Sequence, residues 1–212
     1  MSANPLFERT VSTLLAGEVI CEVSNDDLNN YLLLPENQQQ VASFLGQLNR
    51  TLRRTGTGEA WVCAYEDLAT SEAKEAVRQQ FSLVANHLEP LVHFLRLIMA
   101  VEGSQRPILP GSLVQESVIL DRLSSVPSLE AKLRSLVETQ FFRTKKTDSA
   151  GQIRTVMTNL EKAGYLKSHG TTGSVYRATG KWSWLYDVMT FIETHEGIQT
   201  SDPEDEPQMR LA

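Results

Sequence analysis

A mainly α-helical fold with small β wings, built as tandem winged-helix domains, is what three features of the 212-residue sequence predict. The first is residues 149–179, SAGQIRTVMTNLEKAGYLKSHGTTGSVYRAT. Ile153, Val156, Met157 and Leu160 fall at i, i+3, i+4 and i+7, so one face of a helix is apolar and the other polar. Gly164 stops that helix, and extended runs at 165–168 and 174–178 flank the turn-rich residues 169–173. In a winged-helix domain such a helix is the second of a helix-turn-helix pair and can lie in the major groove with the wing beside it on the backbone, although winged helices often serve only to bind protein. The second feature is a similar element order in the first third. The third is length, which suits two domains of about 100 residues. The expected division is 1–70, an N-terminal winged-helix domain for partner or dimer binding; 71–198, a C-terminal winged-helix domain containing the basic segment 131–181; and 199–212, an acidic disordered tail.

Taken in order, Asn4 or Ser2 caps a first helix with Pro5 in its first turn; Leu6, Phe7, Val11, Leu14 and Leu15 are its apolar side and Gly17 its end. Residues 19–23 read as extended. Ser24 with Asp27 resembles a capping pair for a second helix, apolar at Leu28, Tyr31 and Leu32. A third helix is expected from Glu36 to Arg54 through Val41, Phe44, Leu45, Leu48 and Leu52, broken by Thr55-Gly56-Thr57-Gly58 before a strand at 60–65. Few basic groups face out here and Glu66, Asp67 and Glu72 follow, so protein binding is the expected use of this unit. Residues 71–102 read as two helices meeting near Leu88 and Glu89, because proline is best placed in a first turn and Pro90 would begin the second. That second piece is apolar on most faces and reads as a core helix.

After a loop at 103–111, Ser112 is expected to cap a helix running from Leu113 to Leu123, and Ser128 another reaching Phe142, with Lys132 and Arg134 outward. Residues 143–151 form a polar basic loop. Beyond the wing, Trp182 and Trp184 read as packing anchors ahead of an amphipathic helix with Leu185, Val188, Met189 and Ile192. The acidic, proline-containing 199–212 has almost no apolar residues, too few to fold a chain.

Charge is unevenly spread. Residues 131–181 hold ten basic residues against three acidic ones, net +7, in a chain of net −6, which leaves −13 elsewhere. Such a basic segment is a footprint for phosphate. Arg143, Lys145, Lys146, Arg154, Lys162 and Lys181 are the candidate contacts to double-stranded DNA. Cys21 and Cys63, in apolar surroundings, read as inert core thiols. Four histidines without ligand spacing suggest no metal, and no cofactor motif is present. The longest apolar run, 91–101, contains His93 and Arg96 and falls short of the roughly 20 residues that span a bilayer. No secretory signal opens the sequence, so the expected location is the cytoplasm. No catalytic constellation is readable, and His169 in the wing reads as a surface residue, so an enzyme is not expected.

The opening ANPLF, the helix pattern IRTVMTNLEKAGYL, the wing ending SVYRAT and the acidic C-terminus resemble the MukE/MksE family, the winged-helix subunits of bacterial condensin complexes, and the length is nearer to MksE. The resemblance implies a dimeric, non-catalytic protein that binds the kleisin subunit (MukF- or MksF-like), meets the condensin ATPase indirectly, and works at the nucleoid in chromosome partition or plasmid defence. The chain has no GxxxxGK[ST] loop, in keeping with that. The family's recognition helix is basic toward its C-terminal end. Arg154 and Lys162 match that character and Glu161 departs from it. The alternative is a winged-helix transcriptional regulator reading bases with Arg154, Asn159 or Gln152.

Overall fold

The computed structural model describes residues 4–171 and 173–196. It is mainly helical, 61% helix and 12% strand, with small antiparallel sheets. The expectation for 199–212 lies outside the described residues.

Helix α1 (Pro5–Leu15) begins at Asn4, whose side chain accepts from the Leu6 and Phe7 amides, with Pro5 where no amide is needed. Strand β1 (Ile20–Cys21) is shorter than the extended piece expected. Ser24 does not cap helix α2 (Asp26–Leu33); its hydroxyl is turned back to the Val19 carbonyl, and Asn25 occupies the cap position. Helix α3 (Pro35–Gly46) ends well before Arg54. Asn49, at φ 55, turns the chain left-handed, and Arg50–Arg54 becomes strand β2, paired with β3 (Ala60–Tyr65) from Arg50 opposite Tyr65 to Arg54 opposite Trp61. The TGTG run is the turn of that hairpin rather than the end of a helix.

Helix α4 (Ser71–Glu102) is continuous, not two pieces, with Pro90 inside it. An interior proline costs about 3 kcal/mol. Burial of Leu91, Phe94, Leu95, Leu97, Ile98 and Val101 in the turns after Pro90, at about 1.5–3 kcal/mol each, outweighs that. Strand β4 (Leu113–Gln115) replaces the start of the helix expected from Ser112, and helix α5 (Glu116–Ser125) follows. Helix α6 (Pro127–Glu138) starts at Pro127, which leaves Ser128 inside the first turn rather than at the cap, and Gln140–Phe142 is a separate 3-10 turn.

Helix α7 (Ser149–Lys162), strands β5 (Leu166–Ser168) and β6 (Val175–Ala178), and helix α8 (Lys181–Glu196) complete the chain. Here expectation and structure agree within a residue or so, except that α8 already includes both tryptophans. Trp182 is fully buried among Phe94, Tyr165 and Tyr186, so it is a packing anchor.

The two sheets repeat one plan. Each has its third strand in the middle, β1-β3-β2 and β4-β6-β5, and each is preceded by helices. One core cluster gathers Val11, Leu14, Leu28, Leu32, Val41, Leu45 and Trp61; a larger one joins α4, α5, α6, α7 and α8. Between them, Val19, Cys21 and Ala60 pack with Trp184, and the backbone of Gly180 is drawn so close that a Cβ there would lie 2.4 Å from the Ala60 Cβ.

Candidate nucleic-acid interface

Helix α7 is fixed from four directions. Asp148 caps it by accepting from the Gly151 amide at 2.7 Å, and Ile153, Val156, Met157 and Leu160 are buried beneath it. At its other end Gly164, at φ 78, turns the chain into the wing. Glu161 there accepts from both the amide and the hydroxyl of Ser168 on β5, so this carboxylate ties helix to wing.

The outward face of α7 forms a shallow concavity lined by Lys146, Arg154, Thr158, Asn159 and Lys162 among others. Arg154, Lys162 and Lys146 are therefore brought onto one surface. The loop carrying Lys146 is held against the helix: Gln152 donates to the Lys146 carbonyl at 3.1 Å, and the Thr144 and Thr155 hydroxyls are 3.3 Å apart. Arg143 and Lys145 are exposed in the same loop. Among the described residues Arg143, Lys145, Lys146 and Lys162 have no carboxylate partner. Arg154, 72% exposed, reaches only to 3.9 Å from Glu116, a buried carboxylate that also accepts from the Tyr176 hydroxyl at 3.3 Å. Burial and Glu116 push that phenol up to about 12.

Lys181 is placed elsewhere. Its ammonium donates to the Ala163 carbonyl at 2.7 Å, satisfying an otherwise open C-terminal group of α7, and stands 5.1 Å from the Tyr165 ring. Burial lowers its pKa. Lys167 is likewise committed, to the Ser24 carbonyl at 2.8 Å. Two of the three side chains considered for base reading are also engaged: Asn159 donates to the Phe141 carbonyl at 2.9 Å, and Gln152 to Lys146 as above. The face left to a ligand is cationic and poor in free amide groups, which suits phosphate better than base edges.

The sequence reading missed the arginines of β2. Arg50 lies 3.2 Å from the centroid of the Tyr65 ring and Arg54 4.5 Å from that of Trp61, and Arg53 is exposed. The signal was present: RTLRR followed by a TGTG turn and an apolar run is a hairpin pattern.

Among the described residues no cluster of His, Cys, Asp and Glu could hold a metal ion, and no helix is long and apolar enough to cross a membrane. The family profile described as Condensin complex protein MksE matches residues 5–189. No curated protein matches the chain.

Proposed function

Because the chain belongs to the MksE family and is a condensin-complex subunit, we propose that it acts without catalysis, binding the kleisin subunit as a homodimer and contacting duplex DNA through phosphates on the α7 face. The family match over residues 5–189 carries the assembly part of this reading. The α7 surface, with Arg154, Lys162, Lys146, Lys145 and Arg143 unneutralised or nearly so, supports the DNA part. Lys181 leaves the contact set because it lines the cleft below the C-terminal end of α7 and not the outward α7 face. The units 1–70 and 71–198 would divide the work, partners on the first and DNA on the second, in the cytoplasm at the nucleoid, for chromosome organisation or plasmid defence.

The test is co-purification with the proteins encoded beside it, followed by light scattering. The expected product is a complex containing a kleisin-like chain and two copies of this one. A protein that elutes alone and prefers one palindromic duplex far above random DNA would instead be a transcriptional regulator.

A further inference from the structure

A cleft of about 560 Å³ opens where α1, the β2–β3 hairpin, α4 and the start of α8 meet. Its charged and titratable nitrogen groups are Arg50, His87 and Lys181, and no Asp or Glu lines it among the described residues. Among the described residues none of the three is in an ion pair, and Glu18, the carboxylate whose charge reaches Lys181, lies beyond ion-pair range. Burial lowers both Lys181 and His87, and the Lys181 charge lowers His87 further. In a chain of net −6, three nitrogen bases gathered without a counter-ion are a costly arrangement that an anion would relieve.

The cleft does not end there. Through Cys63, Tyr65, Val84 and Trp184 it runs into a second, apolar groove between β3, α4 and α8. Phe81 and Phe191, 36% and 49% exposed, rim that groove with their rings 5.9 Å apart. Large aromatic side chains left at a surface beside a cationic hollow mark a protein-binding site. The volume admits side chains and a short stretch of backbone, not a duplex, and the apolar extension has no use for a free inorganic anion.

We propose that this composite cleft receives an acidic peptide segment of a partner subunit, one carboxylate seated among Arg50, His87 and Lys181 and a neighbouring apolar side chain in the groove rimmed by Phe81 and Phe191. The proposal rests on the chain's being a subunit that binds other proteins and is independent of DNA contact by α7. It also gives Arg50 and Lys181 a role that the DNA surface does not.

The experiment selects binders to the full-length protein from a displayed library of random dodecapeptides. The expected peptides carry Asp or Glu beside Leu, Ile or Phe, and lose about tenfold or more in affinity on Arg50→Gln or Lys181→Met. Arg50→Gln is the cleaner variant, since the Arg50 guanidinium lies over the Tyr65 ring while the Lys181 ammonium caps α7. Arg154→Gln should leave them unchanged. Peptides without acidic enrichment, or indifferent to Arg50→Gln, would overturn the proposal, as would displacement by inorganic phosphate at the concentration of free peptide. Tighter peptide binding on neutralising Asp202, Glu204, Asp205 and Glu206 would assign the cleft to the chain's own C-terminal residues and overturn the assignment to a partner. Should no kleisin-like chain co-purify while acidic peptides still bind, the condensin assembly reading falls and the cleft stands.

Discussion

The hairpins β2–β3 and β5–β6 occupy the same place in sheets of the same strand order, yet they end in different surroundings. At the tip of the first, the Gly56 amide donates to Asp187 at 2.9 Å, Thr57 meets Ser183 at 3.0 Å, and Ser183 donates to Glu59 at 3.2 Å. That tip is seated on α8. The second tip, around Gly170 and Gly173, is exposed. The helices ahead of them differ in the same sense: α3, PENQQQVASFLG, has no Lys or Arg, whereas α7 presents Arg154 and Lys162 outward. One topology thus presents two surfaces, which differ in what covers the tip and in a few cations on one helix.

The strongest way to break the comparison is to part the two units. Gly180→Ala would place a Cβ 2.4 Å from that of Ala60 and 2.9 Å from that of Cys21, backbone-borne atoms with nowhere to rotate. Overpacking of this kind costs about 1–3 kcal/mol. Calorimetry should show a lower Tm, by about 2–4 °C for each kcal/mol in a chain of this size. An unchanged Tm would mean that the units are not held together at Gly180.

A smaller effect sharpens the second unit alone. Asp148→Ala removes the side chain that accepts from the Gly151 amide and should cost about 1 kcal/mol, with fraying of the first turn of α7 visible as faster amide exchange at 150–152. Exchange unchanged there would show that the loop contacts, not the cap, hold the helix start.

The smallest effect concerns pH. His87, against the Phe141 ring at 4.4 Å, is held below its ordinary 6.5 by burial and by Lys181. The unfolded chain therefore binds the proton more tightly, so the stability tied to neutral His87 is complete above pH 6.5 and declines as the pH falls through that value toward the lower folded one. His87→Phe should flatten this part of the stability profile, and an unaltered profile would assign the acid sensitivity to other groups.

The sequence was most legible where local chemistry and tertiary packing agree. In α7 and its wing the apolar spacing, the Gly164 stop and the turn residues all point one way, and residues 149–162 and 166–168 followed. It was least legible where an apolar period runs through a change of element. Leu48 and Leu52 continue the spacing of α3, but Leu48 is exposed and Asn49 turns the chain, so β2 and its arginines were concealed. Leu113 and Val114 masked β4 in the same way. Pro90 misled because long-range burial, invisible locally, overrides its penalty. For the candidate site, charge alone could mark 131–181. Which cations are spent on backbone carbonyls, as Lys167 and Lys181 are, depends on contacts across the fold.

The central claim is that DNA meets the α7 face and not the docked first wing, and the salt dependence of binding to random duplex tests it most directly. With about five phosphates neutralised, the log-log slope for the unaltered protein should be about −4 to −5. Replacing Arg154 and Lys162 by Gln should make it shallower by about 2, while the same change at Arg53 and Arg54 should leave it as it was. A slope that responds to Arg53 and Arg54 but not to Arg154 and Lys162 would contradict the account.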